Sequence, residues 1–446
     1  MSEESESRGL ASFLTVWAGQ VVSAVGSGLT SFALGVWVLE KTGSSFAFSV
    51  LAACTLLPSI LLLPVAGALV DRWDRRRVMM MADVAAAACT IGSALLLLTG
   101  KFDLLPLAVL TVLASMAKAF RWPAYAASVT LLVPRRHLGR ANGLVQLGEA
   151  AAEIIAPLSA GWLVLQIGLE GVILVDAASF IVGVGTLLAV RIPRPAKVVA
   201  AKVSIVAEVA YAWRYFRNRS GLLELLWFAF CTNFTLFGVV QIGITPLVLS
   251  FANAGVLGNV IAAGGLGAVA GSAVMSVWGG ARYRIPTILV LTAVQAGFAA
   301  VAGLRPNAVL IGVCLFGILF CFPIIAASTN VIWQTKVAPE VQGRVFAIRR
   351  MISWSSIPIA YLCSGILAEH VFNPMLLEGG ALAGTLGQIV GVGPGRGIGV
   401  MFLAVALVTL VVVLIASLNR AIRGVEDPPV VGDPAALPAT GGNKLA

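Results

Sequence analysis

The chain has 446 residues, of which 59% are hydrophobic and only 11% charged. Soluble globular domains carry about a quarter charged residues, so this composition excludes that class and defines an integral membrane protein. The net charge of +10 does not point to nucleic acid, because the basic residues sit between apolar segments, where they orient helices.

A membrane-crossing helix needs about 20 apolar residues. The hydropathy pattern predicts twelve, over residues 11–38, 46–70, 78–100, 104–131, 141–165, 171–190, 222–250, 255–278, 285–304, 307–334, 345–369 and 398–417. The start, MSEESES, is acidic and lacks the basic flank of a cleavable signal peptide, so the first crossing is expected to direct its own insertion. Between the sixth and seventh crossings lies the longest connection, 191–220. Within it, residues 203–216 alternate apolar and polar at helical spacing, which fits either an amphipathic helix on the inner leaflet or a plain linker helix. The glycine-rich segment before the last crossing, 391–397, lacks the strand and helix of a phosphate-binding unit. The tail beyond residue 420 becomes rich in Pro, Gly and Ala without periodicity and is expected to be disordered. All six cysteines lie inside apolar segments with no metal-ligand spacing, so neither a disulfide framework nor a metal or other cofactor is expected.

Of the 30 lysines and arginines, 22 fall in the termini and in the loops on one side. The other side holds Lys41, Lys101, Arg305 and Arg396, and four more lie within crossings. That bias places both termini in the cytoplasm. The chain also repeats itself. The pairs Gly139-Arg140 and Gly343-Arg344 are 204 residues apart, and the basic loops at Arg75 and Arg282 are 207 apart. Two similar offsets predict two six-helix halves of the same orientation, 1–190 and 221–420, joined by the 191–220 connection and followed by the tail 421–446.

The loop after the second crossing reads GALVDRWDRRRV over 67–78, with six charges in seven residues. Taken alone it sets topology. Its wording, Gly67-x-Leu69-x-Asp71-Arg72-x-x-Arg75-Arg76, resembles the loop 2–3 signature of the major facilitator superfamily of transporters. The one departure is Asp74, which stands where glycine is commonest. WAGQ (17–20), EKTGS (40–44) and IWQTKVAPEVQGRVFAIRR (332–350) are similar to the macrolide-efflux group and to enterobactin-type exporters. The resemblance implies an all-α fold of twelve transmembrane helices in two halves. It also implies a conformational latch built from Gly67, Asp71, Arg72, Arg75, Asp83, Gly343 and Arg344, in which Asp71 faces the start of the eleventh crossing and Arg75 is held by a second carboxylate such as Asp83.

Ionisable residues within crossings are functional candidates, since each costs free energy in lipid. They are Asp83, Lys118, Arg121, Glu149, Glu153, Asp176, Glu224, Arg349 and Arg350. Arg121, Glu224, Arg349, Arg350 and Asp83 lie close enough to ends to snorkel, and Asp176 falls on a crossing expected to be peripheral. Glu149 and Glu153 share one helix face, and Glu153 lies about 18 Å into its crossing, near the midplane. Two ionised carboxylates stacked there repel, so at least one carries a proton. Lys118 lies at a matching depth. The three residues form either a static buried ion pair or a site for protons or substrate. The face Ala156-Pro157-x-x-Ala160-Gly161 permits close helix approach and is similar to the helix-5 motif of exporters. Many proton antiporters of the superfamily carry arginine in the fourth crossing; here Ala114 stands there, with Lys118 one turn later.

The residues expected to line a cavity are Trp17, Gln20, Asn233, Phe237, Gln241, Phe320 and Trp333, a mix of aromatic and amide groups suited to bulky, weakly charged cargo. The leading reading is therefore a proton-coupled exporter of an amphipathic drug or natural product. It is a monomer in the plasma membrane whose partners are lipid, protons and the small-molecule cargo. A siderophore exporter is the near alternative, and a non-transporting scaffold or sensor is the alternative of another class. With two histidines, no His-Glu-x-x-His and no nucleophile beside a base, an enzyme is not expected.

Overall fold

In the computed structural model the described residues are 3–70, 73–100, 103–134, 138–192, 213–337 and 342–426. They are helical almost throughout. The long helices are α1 (Glu3–Thr42), α2 (Ser45–Val70), α3 (Arg75–Leu98) and α4 (Leu104–Leu132), followed by one apolar run, Leu138–Ala189. That run is too long for a single crossing, and Gly168 breaks it with a left-handed φ of 69°, a conformation glycine adopts without steric cost. It yields α5 (138–167) and α6 (169–189). The rest are α7 (Ser220–Leu249), α8 (Ala254–Trp278), α9 (Arg284–Leu304), α10 (Ala308–Lys336), α11 (Gln342–Ile366, extended by a π-helical turn Leu367–Phe372) and α12 (Arg396–Leu418). Every predicted crossing has its helix, several longer than hydropathy alone suggested.

The helix starts are written in the sequence. Asp74, Asp103, Asn253 and Asn307 each accept a hydrogen bond from a first-turn amide of the helix that follows. This accounts for Asp74 in place of glycine, since its carboxylate caps α3. Wide π-helical turns interrupt α7 at Asn233–Val240 and prolong α11. Such turns commonly mark functional segments.

Helices α1–α6 pack mainly on one another, as do α7–α12; across the two halves, α5 meets α8 and α2 meets α11. Each half holds a large apolar cluster near the basic loops and another at the far end, and a small third one, around Leu376, Val390 and Val400, lies in the second half. The far-end clusters interlock, since Val36 packs into the second half's cluster and Ile242 and Tyr361 into the first half's. The clusters at the basic-loop end share no residue among those described. The halves are thus sealed at the far end. The seal is tight because glycine meets backbone there. A Cβ added to Gly161 would lie 2.5 Å from the Ala254 carbonyl oxygen, and one on Gly258 2.6 Å from that of Pro157. Outward-facing apolar side chains such as Ile181 (75% exposed) and Val277 (92%) form a surface suited to lipid tails.

The segment proposed for the inner leaflet lies mostly outside the described residues. At its described end Phe216 is fully buried and packs edge-on against Trp333, with ring centroids 5.6 Å apart. The tail from 427 onward also lies outside the described residues.

Candidate functional site

The first half contains two buried charge systems. Asp83 of α3 is completely enclosed. Arg121 of α4 pairs with it at 3.4 Å, and Gln20 of α1 donates to its second oxygen at 3.2 Å. Arg121 also reaches the Ser23 hydroxyl, 3.4 Å away. A buried carboxylate needs this combination of counter-charge and hydrogen bonds. Asp83 therefore neither snorkels nor holds Arg75. The Arg75 guanidinium instead donates to the Ala127 carbonyl at 3.0 Å, and Arg76 donates to those of Leu187 and Leu188 at 2.6 and 2.9 Å. Arg76 thereby binds the terminal turn of α6, where unpaired carbonyls attract cations, while Arg75 adds a donor to a carbonyl within α4.

The second system lies nearer the far end. Asp176 of α6 is 1% exposed and accepts hydrogen bonds from Thr90 and Ser179, each at 3.3 Å. It faces a cavity of about 200 Å³ that also holds Lys118 and a ring of serine and threonine hydroxyls. Asp176 is thus not peripheral.

Lys118 also borders a second cavity, of about 380 Å³, with Trp17, Gln20, Arg121, Trp122 and Glu149. Trp122 donates to the Glu149 carboxylate at 3.2 Å, and Trp17 to the Leu144 carbonyl at 2.7 Å. Glu153 sits one turn further along α5. Ala156 faces Gly28 of α1, while Ile154 and Pro157 face Gly265 and Gly258 of α8. Glu153 lies on the α5 face between these two sets of contacts and is exposed. The expected Lys118–Glu153 pairing does not form. Among the described residues the ion pair within 4 Å is Arg121–Asp83, and Lys118 shares its cavities with Asp176 and Glu149 instead. Ala156 and Ala160 are buried, and with Pro157 and Gly161 they lie along the close contacts of α5 with α1 and α8.

In the second half a cavity of about 400 Å³ is lined by Asn233, Phe237, Asn330, Arg349, Arg350 and Trp354, among others. Asn233 donates to the Ser353 carbonyl at 3.1 Å, Phe237 packs on Phe322 at 4.3 Å, and Arg349 donates to Asn330 at 2.8 Å. Arg350 lies over the rings of Trp354 (4.8 Å) and of Trp122 (5.8 Å) from the first half, contacts that suit a partly desolvated guanidinium. Gln241 is exposed on α7. Two expected cavity residues lie elsewhere. Trp333 is 1% exposed beneath Phe216, and Phe320 stacks on Phe316 where its backbone meets Gly271 of α8. Arg349, Arg350 and Asp176 carried a signal, being charges within crossings, but their positions along the helices suggested snorkelling or a structural role. Asp71 and Arg72 lie outside the described residues, and the side chains at Gly67, Gly343 and Arg344 are likewise not described.

The twelve-helix bundle with charged groups enclosed between its helices is that of a membrane transporter. The family model of the Major Facilitator Superfamily matches residues 16–361, and the chain belongs to that family; it is a multi-pass transporter and not an enzyme. It is similar to macrolide efflux protein A of Streptococcus pyogenes, 28% identical over 385 residues that cover 83% of this chain and 93% of the relative. It is also similar to the multidrug efflux pump Tap of Mycobacterium tuberculosis, 26% identical over 80% of this chain and 87% of that one. Among solved structures, a bacterial homologue of the human lysosomal transporter Spinster superposes with a TM-score of 0.68 at 14% identity, covering 96% of this chain and 100% of that one. The nucleoside transporter NupG gives 0.67 at 12% identity, over 92% of this chain and 100% of that one.

Proposed function

We propose that the chain exports amphipathic small molecules, macrolide-like compounds among them, in exchange for protons across a bacterial plasma membrane. Both termini would lie in the cytoplasm and the protein would work as a monomer. The observation that supports this reading is Glu149 in a cavity with Trp17, Trp122 and Lys118, with Glu153 one turn further along α5, in a chain similar over most of its length to two efflux proteins. Export against a gradient requires that proton and cargo favour opposite states. Glu153 is the group that takes the proton. Glu149 relays it towards the basic-loop end, and Lys118 is the charge that expels it. Asp71 closes the basic-loop end against the start of α11. Glu153→Gln is expected to abolish uphill export while keeping cargo binding and downhill exchange, and Glu149→Gln to slow transport only. The test is erythromycin transport in proteoliposomes with and without a pH gradient, beside a susceptibility panel in a pump-deficient host. Wild-type, pH-dependent export by Glu153→Gln would remove this carboxylate from the coupling scheme.

A second reading is favoured by the cations. With Lys118 and Arg121 in one cavity and Arg349 and Arg350 in the other, an anionic cargo such as a siderophore also finds counter-charge. Protection of the host from macrolides but no siderophore release would reject it.

A further inference from the structure

We propose that Asp176, enclosed in the hydroxyl-lined cavity of the first half, is a proton-binding site of the transport cycle, and that Lys118 is the tethered cation that competes with that proton. This rests on the proton-coupled reading above and adds to it a site that Glu153 does not supply.

Asp176 is 1% exposed, and its described hydrogen-bond donors are neutral hydroxyls. A carboxylate so enclosed must be compensated by a cation or by a proton. The cavity it faces is polar and incompletely satisfied. Ser27, 9% exposed, lines it, and among the described residues its hydroxyl oxygen has no hydrogen-bond partner. A space of about 200 Å³ with such walls has room and partners for water, and water can conduct a proton.

The candidate counter-ion is Lys118. Its side chain borders this cavity and also the one containing Glu149, and it makes no ion pair with a described residue. A lysine carries its charge on a flexible four-carbon stem. Two arrangements compensate Asp176. In one, the ammonium lies against an ionised Asp176. In the other, Asp176 holds a proton and the ammonium turns to Glu149. Movement of Lys118 therefore links the proton on Asp176 to the charge of the cavity that holds Glu149. No bond is made or broken beyond the proton's binding from water.

The charged and titratable neighbours leave Asp176 free for this task. On α4, Lys118 and Arg121 face the region, and Arg121 is already engaged by Asp83 of α3. From α3 the cavity also receives Cys89. From α5, Glu149 lies on the far side of Lys118, and α1 presents Gln20 and hydroxyls but no charge. Asp176 is seven residues beyond the start of α6 at the far end, about 10 Å by helical rise. That is the end expected to face outward, from which an exporter takes its proton.

The test is infrared difference spectroscopy of the full chain in lipid nanodiscs between alkaline and acid pH, reading the C=O stretch of protonated carboxyl groups. Asp176→Asn is expected to remove one band that Glu153→Gln leaves in place. Asp176→Glu should displace that band, and it keeps the experiment decisive if the asparagine variant does not fold. Lys118→Gln should move the band's titration midpoint to higher pH, because the competing charge is gone. If the wild type shows bands but none responds to either change at Asp176, or the midpoint ignores Lys118→Gln, this inference is overturned and the coupling reading stands on Glu153. If the wild type shows no titrating carboxyl band at all, the proton-coupled reading falls as well.

Discussion

Glu369 offers the sharpest test of how the halves separate. It lies on the π-helical turn that prolongs α11, and its carboxylate crosses to the other half, accepting from the Phe46 amide at 3.0 Å and from the Ser44 hydroxyl. Ser44 in turn accepts from the Ala47 amide, so the carboxylate completes the cap of α2. A charge-assisted hydrogen bond is worth about 1.5–3 kcal/mol, and a carboxylate at a helix N-terminus about 0.3–1 kcal/mol. The site is half-exposed, which puts the sum near the lower figure. Glu369→Ala should therefore weaken the far-end seal by about 2 kcal/mol, or about 30-fold in the ratio of sealed to open molecules. Glu369→Gln, which keeps an acceptor but loses the charge, should cost about half as much. Spin labels on the exposed residues Lys41 and Glu378, in a cysteine-free background, would report the opening as a longer distance by pulsed electron paramagnetic resonance. Labels on Trp73 and Tyr283 at the other end should move closer together. Distributions for Glu369→Ala indistinguishable from wild type at both ends would refute the argument.

The antiparallel pair α2 and α11 implies a counterpart of opposite sign. Asp71→Asn should favour the state open at the basic-loop end and slow export in a folded protein, and an unchanged cross-linking yield between α2 and α11 would remove that latch. Breaking the buried pair Arg121–Asp83 from one side, with Arg121→Ala, strands a charge and should cost about 3–5 kcal/mol. The double variant Asp83→Asn with Arg121→Gln should recover most of that in thermal melts, and equal losses would show that the pair is not the cause. Gly161→Ala should wedge α5 from α8, since its Cβ meets the Ala254 carbonyl at 2.5 Å. A far-end distance unchanged by this variant would mean the contact is not part of the seal. Single cysteines at Lys41 or Glu378 should react with an impermeant thiol reagent from outside, whereas labelling at Arg217 from that side would invert the topology.

The sequence determined the class of this protein because membrane insertion is a local property. Twenty apolar residues cross a bilayer whatever their neighbours, basic loops orient them, and residues such as Asp74, Asn253 and Asn307 cap helices through their own next turn. It also marked each intramembrane charge, because an uncompensated one is costly in lipid wherever it falls. What it did not contain is partnership. Each helical residue turns the side chain by about 100°, so whether Lys118 meets Glu153 or Asp176 depends on the rotation and depth of α4 against α5 and α6. Those are set by packing between elements, such as Gly28 on Ala156 and Gly258 on Pro157. The same reason moved Trp333 from an expected cavity wall to a buried seat beneath Phe216. It also moved Asp83 from a helix end to the centre of a network with Arg121 and Gln20. Tertiary structure alone decided that the far end of the bundle is sealed, because the seal joins residues distant in the chain, Ser44 with Glu369 and Gly161 with Ala254, whose contact no local pattern encodes.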